Sequence, residues 1–238
     1  MYYSLISSMK KQNIVTNGLI LYLDAAQSIS YPGTGIIWND LSINANNGTL
    51  VNGPTYSSSN GGSIVFDGTN DYVNIPFNST LNTPNGATYE IWIKPAIGTS
   101  GEFLNRGTSD SGATPDNPRF SLESNGKLYF DWSSPSNDRY LNTVTGSCNM
   151  GYWNQVIGLA TPNSLLRVFV NGVESSYLQR VGTLPSTLPN TSNPIQLGGA
   201  PWIPRYSSSN ISILKLYNRS LSAAEILQNY NVLKQRYI

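Results

Sequence analysis

The 238-residue chain holds few side chains able to do chemistry, and the first fact about them is an absence: there is no histidine. Ser-His-Asp and Cys-His nucleophile systems, imidazole metal sites and a histidine general base or pH switch are thereby excluded. The single cysteine, Cys148, lies in the polar stretch Gly146-Ser-Cys-Asn149 and reads as a bystander thiol. No intrachain disulfide can form, so folding needs no oxidising compartment. What remains are two groups that pair an aromatic ring with polar donors and acceptors. One is Trp202, Arg205 and Tyr206; the other is Trp132, Asn137, Arg139 and Tyr140. A sugar offers an apolar C–H face to a ring and hydroxyls to amides and charged groups, so both sets suit a glycan. Aromatics flanked by arginine suit a protein interface equally well. Trp202, between Pro201 and Pro204, is the expected exposed anchor. Trp132 alternates with Leu128 and Phe130, so its place is expected in the core. The expected binding residues, for glycan or protein partner, are Trp202, Arg205, Tyr206, Asn137, Arg139 and Tyr140.

The elements that must position these residues read as strands. Short apolar runs recur between Gly, Pro, Asn and Ser: residues 19–23, 63–66, 71–75, 89–93, 120–122, 127–132, 153–157, 166–170, 195–197 and 211–217. Many alternate with period two: Leu128, Phe130 and Trp132 share one face, and Lys127, Tyr129 and Asp131 the other. Many short strands with turn signals between them indicate an all-β fold, a two-sheet antiparallel β-sandwich or jelly roll. Asp67-Gly68, Asn125-Gly126 and Asn171-Gly172 read as tight hairpin turns. One short C-terminal α-helix is expected. It has Ser222 as N-cap, Glu225 completing a capping box, a staple from Leu221 to Ile226, and an apolar stripe at Ile226, Tyr230 and Leu233. Long loops over 106–119, 133–138 and 198–209 are where binding would sit. Residues 1–16 read as an N-terminal arm and 17–238 as one domain.

Charge narrows the partners. Formal net charge is +1, only 11% of residues are charged, and Lys10-Lys11 is the one adjacent basic pair. Nucleic-acid binding needs clustered Lys and Arg, so it is not expected. No stretch approaches the ~20 apolar residues of a membrane span, so membrane insertion is not expected either. The basic pair follows rather than precedes the short apolar part of the N-terminus, so no signal peptide is read.

An ordered series of segments resembles the laminin-G-like jelly roll of the concanavalin A-like lectin/glucanase superfamily. It runs from Gly18-Leu-Ile-Leu-Tyr-Leu-Asp24 through Tyr31-Pro-Gly33 and Trp38-Asn-Asp-Leu-Ser42 to Gly62-Ser-Ile-Val-Phe-Asp-Gly-Thr-Asn-Asp-Tyr-Val73. Trp92-Ile-Lys-Pro95, Trp153-Asn-Gln-Val156, Val168-Phe-Val-Asn-Gly-Val173, Leu197-Gly-Gly199 and Ile213 to Ile226 follow in order. The resemblance covers roughly residues 17 to 236. Tyr206 to Asn210 departs from the Phe-x-Gly often seen before the family's closing strand. Trp38, Trp92 and Trp153 fall inside these segments and read as packing. The opening also resembles versions of the domain in virion proteins of tailed phages.

The resemblance sets expectations about chemistry. Glucanases of the superfamily carry Glu-x-Asp-x-(x)-Glu on one strand, because two acids must flank one glycosidic bond. No such run occurs: Glu90 and Asp131 each stand alone, and hydrolysis is disfavoured, since a fold does not confer an activity. No cofactor is expected. Relatives often bind calcium, and Asp67, Asn70 and Asp71, or Asp131 with Asp138, are the candidate ligands. For the first set a turn is the favoured reading, because Asp and Asn bond their own turn backbone. The leading functional expectation is a non-catalytic structural or decoration protein of the virion (capsid, head-fibre or tail-associated), assembled in the host cytoplasm and docking to other virion proteins or to itself. The alternative is a carbohydrate-binding module for a host-surface glycan.

Overall fold

The computed structural model describes residues 13–107, 118–132, 139–202 and 204–238. The strands are β1 (Leu19–Asp24), β2 (Ile37–Trp38), β3 (Gly48–Val51), β4 (Thr55–Ser57), β5 (Ser63–Asp67), β6 (Tyr72–Ile75), β7 (Ala87–Pro95), β8 (Gly101–Asn105), β9 (Arg119–Leu122) and β10 (Leu128–Asp131). They continue as β11 (Tyr140–Thr143), β12 (Asn154–Ala160), β13 (Arg167–Val170), β14 (Val173–Glu174), β15 (Tyr177–Val181), β16 (Ile195–Leu197), β17 (Gly199–Ala200), β18 (Arg205–Tyr206) and β19 (Ser208–Tyr217). One α-helix, α1 (Ala223–Leu233), follows.

Among the described residues two large antiparallel sheets and a two-stranded hairpin, β17-β18, result. The back sheet runs β14-β13-β12-β7-β19-β5-β4, with β1 also on β19; the front sheet runs β15-β11-β10-β9-β8-β16-β6-β3-β2. Strand β19 is long enough to pair β7 along one side and β5 and then β1 end to end along the other. The core lies between the sheets. Ile64, Phe66, Tyr89, Ile91 and Leu214 from the back meet Val73, Leu104, Leu128, Leu141 and Leu197 from the front. Phe120 stacks on Phe130 at 4.4 Å between ring centres, and Trp132 meets Phe130 edge-on at 6.3 Å. Trp132 is thus in the core, 2% exposed. Gly158 faces those rings, and a Cβ there would collide with Phe120, so this glycine sets how closely the sheets approach.

The outer face of the back sheet is also covered. Helix α1 starts with the expected capping box, Ser222 accepting from the Glu225 amide and Glu225 accepting from the Ser222 amide. Leu221 and Ile226 are buried on Ile157, Leu159 and Phe169. Beneath the helix, Glu90 and Lys215 form an ion pair at 3.0 Å with both side chains fully buried. Glu90 also accepts from Gln155 and, at 2.7 Å, from Asn229 of the helix. Burial lowers the Lys215 pKa, with Glu90 opposing. Asn229 Oδ1 accepts the Val15 amide and the Tyr217 hydroxyl donates to the Val15 carbonyl.

Two expectations need correction. Residues 13–16, assigned to the arm, are packed against the domain: Val15 carries an apolar side chain that α1 and β19 bury. The rest of the expected arm, 1–12, lies outside the described residues, as do 108–117 and 133–138 of the expected loops. Asp67-Gly68 is not a hairpin turn. Strand β5 pairs with β19 and β4 while β6 pairs with β3 and β16, so this turn carries the chain from one sheet to the other. Gly68 has φ +81°, and a Cβ there would press on the Ser208 backbone. Cys148 lies in a turn-like stretch, as expected, but is buried there, and burial pushes its thiol up to about 12, which leaves it unreactive.

Candidate binding site

Period-two alternation makes the outer face of the front sheet a grid. Cross-strand register aligns Asn105, Arg119, Asp131 and Tyr140 in one row over β8, β9, β10 and β11. Glu102, Ser121, Tyr129 and Asn142 align in the next. The intervening residues, Phe120, Leu122, Leu128, Phe130 and Leu141, point into the core. The register therefore dictates a polar surface bearing two tyrosines.

A cleft of about 470 Å³ opens on this grid, lined by Arg119, Ser121, Tyr129, Asp131, Tyr140, Asn142 and, from β18, Arg205. Such a volume is typical of small-ligand sites. Arg119 is fixed from both sides, at 2.7 Å from Asp131 and 3.5 Å from Glu102. Glu102 is 1% exposed, accepts from Asn105 at 2.6 Å and lies 3.9 Å from Arg205. The Tyr129 hydroxyl donates to Glu123 at 2.6 Å, and Lys127 lies over its ring at 4.6 Å. That hydroxyl, with Lys127, holds the Glu123 carboxyl below its ordinary pKa. Ring and guanidinium are thus held in place before any ligand arrives, which lowers the entropic cost of binding.

The expected site residues fall as follows. Arg205 and Tyr140, drawn from the two separate sequence groups, face the same cleft. Tyr206 lines an adjoining hollow, and burial raises its phenol pKa. Trp202 lines neither: it is half-buried, its indole N–H donating to Asn105 at 3.2 Å, so it braces the β8 end of the grid instead of standing exposed. Arg139 is buried and donates from Nε to the Thr183 carbonyl. Asn137 lies outside the described residues. Sequence reasoning missed Arg119, Ser121, Asn142 and Glu102. It gave Tyr129 no ligand role and considered Asp131 only as a calcium ligand, although it placed both on the face opposite Leu128 and Phe130.

The calcium candidates do not converge. Asp67 accepts from the Thr69 amide and Asp71 from the Asp67 amide, which are turn bonds. Among the described residues no three Asp, Glu, Cys or His side chains come together as a metal site would require. Asp138, the partner considered for Asp131, lies outside the described residues. No helix of the described residues is long and apolar enough to cross a membrane.

Residues 67–227 match the family described as the Concanavalin A-like lectin/glucanases superfamily, in its laminin-G form. The chain belongs to that family. No curated protein matches the sequence. Among solved structures, the binding domain of Paraclostridial Mosquitocidal Protein 1 aligns at TM-score 0.68 and 15% identity over 90% of this chain and 52% of that one. A botulinum neurotoxin type C structure aligns at 0.67 and 13%, over 91% of this chain and 51% of the other. A Trypanosoma rangeli sialidase aligns at 0.66 and 17%, over 97% and 36% respectively. The chain therefore spans about half of each toxin chain and about a third of the sialidase. At these identities the likeness is one of fold.

Proposed function

We propose that this domain is a non-catalytic carbohydrate-binding module whose ligand lies in the cleft over β9, β10, β11 and β18. The observation that carries the reading is the lining itself. Tyr140 and Tyr129 offer rings, while Ser121, Asn142, Asp131 and the two arginines offer donors and acceptors to hydroxyls on every side. Among the described residues Asp131 Oδ1 and Asn142 Oδ1 meet no hydrogen-bond donor. A buried acceptor left unmade costs about 1–3 kcal/mol, so a ligand hydroxyl reaching either one after a small side-chain rotation gains that much. The fold likeness supports the reading, since the type C neurotoxin depends on interaction with two ganglioside molecules to enter cells.

Binding without hydrolysis follows from how the nearby acids are held. Glycoside cleavage needs one carboxyl free to give a proton and another free to attack or to activate water. Asp131 and Glu102 instead share Arg119, and Glu102 is almost wholly covered. A host-surface glycan is the ligand this module would recognise. Placement on a phage particle, with docking to other virion proteins, rests on the resemblance of the opening segment alone.

The test is a glycan array probed with the labelled domain, followed by overnight incubation of the bound glycans and assay for reducing sugar. The reading expects selective binding and no sugar release. An array with no selective signal removes the binding function, and release of reducing sugar makes the protein an enzyme.

A further inference from the structure

We infer that the ligand is a linear, neutral oligosaccharide of at least two units, held across two joined hollows with Arg205 at their junction. The inference rests on the carbohydrate reading and specifies its ligand. Beside the tyrosine-lined cleft lies a second hollow of about 420 Å³, whose own walls include Gly68, Thr69, Ser100, Gly101, Leu122 and Tyr206. Ser121 and Arg205 line both, so the two are one groove with a waist.

The halves differ chemically. The first presents rings and charged groups. The second presents the hydroxyls of Thr69 and Ser100 and bare backbone at two glycines. Its walls are fixed by packing: a Cβ at Gly101 would strike the Tyr206 carbonyl, and one at Gly68 would press on Ser208. Tyr206 in turn pairs with Gly199 across the β17–β18 hairpin. A ring stacked in the first half leaves the next unit to be held by hydroxyl contacts in the second. Arg205, its side chain 54% exposed, lines both hollows and so stands where the linkage between the two units would lie.

Charge selects the ligand further. Around the groove two arginines face two carboxylates, Arg119 against Asp131 and Glu102, and Arg205 against Glu102. Their charges cancel among the described residues. A carboxylate on the ligand would compete with carboxylates already in place, whereas a hydroxyl adds to them.

The test is titration calorimetry of the full chain with cello-, malto- and N-acetylchito-oligosaccharides of one to six units, and with oligogalacturonides as the acidic series. At least one neutral series should bind on the order of tenfold more tightly at two or three units than at one, then level off. Ser100→Tyr, made at an exposed position so that folding is retained, fills the second hollow, and its affinity should no longer rise with length. Equal affinity for one unit and for several overturns the two-hollow inference while leaving the carbohydrate reading intact. So does length dependence undiminished in Ser100→Tyr, and tighter binding of the acidic series overturns the neutrality. Failure of every series, together with a blank array, overturns both readings.

Discussion

Arg119 shows how single residues prepare the cleft. Between Asp131 and Glu102 its guanidinium cannot swing away, and it lines the groove in a fixed position. Trp202 has the opposite character. A tryptophan between prolines looks from sequence like an exposed anchor, yet its indole is spent on Asn105 and it packs beside Gly107. Trp202→Ala is expected to cost about 1–3 kcal/mol of stability, through the lost packing and the lost hydrogen bond to Asn105, whose Oδ1 keeps only the Gly107 amide. Thermal melting should register that loss. A Trp202→Ala protein with unchanged Tm and no glycan affinity would instead make Trp202 the anchor.

At the scale of elements, the helix and the segment before β1 are held to the back sheet by polar groups inside an apolar layer. Lys215→Met leaves the Glu90 carboxylate buried without its cation. This is expected to cost about 3–5 kcal/mol, a fall in Tm on the order of 10 °C. The added change Glu90→Gln removes the orphaned charge and should recover part of the loss, which melting of the single and double variants will measure. The start of the helix is acid-sensitive. The Arg219 guanidinium, with the Ser222 cap bonds, lowers the Glu225 pKa from 4.5 to about 2. A folded pKa below the unfolded one means stability that is complete above about pH 4.5 and is lost as pH falls towards 2. Glu225→Gln keeps an acceptor for the capping box but loses the charge paired with Arg219, so it should be less stable than the parent at pH 7, by about 1 kcal/mol as for a partly exposed ion pair, and the gap should close near pH 2. A gap that does not depend on pH would contradict the assignment.

For the whole molecule, the sandwich was legible because its central strands alternate or run apolar over enough residues to show a period. The elements that escaped have physical reasons. Strands β2, β3 and β4 are two to four residues long and are separated by segments carrying Asn, Gly and Pro. Strand β8 carries a bulge between Glu102 and Leu104, which buries Phe103 and Leu104 together and erases the alternation that would have exposed Glu102 as a site residue. Asp67-Gly68 was legible as a turn, but a local signal does not say whether the next strand returns beside the last or crosses to the other sheet. The outward positions of Tyr129 and Asp131 could be read from period two. Their meeting with Arg205, some 75 residues on, depends on the β17–β18 hairpin and on β16 joining β8 to β6, which no local pattern encodes. Stability of the whole should not depend on calcium, because the acidic turn at Asp67 and Asp71 is spent on backbone amides. A Tm unchanged by chelator is expected, and a marked fall on chelation would show a metal site that the turn bonds conceal.

The central claim is that the cleft binds sugar through its tyrosines, and its most direct test is calorimetric titration of the strongest array ligand into the parent domain and into Tyr140→Ala. Tyr140 is half-exposed on the outer face of β11, so its loss should leave Tm nearly unchanged. Affinity should fall on the order of tenfold or more, as for an aromatic anchor. Equal affinity in the two proteins would mean that the glycan binds elsewhere on the molecule and that this cleft is not the site.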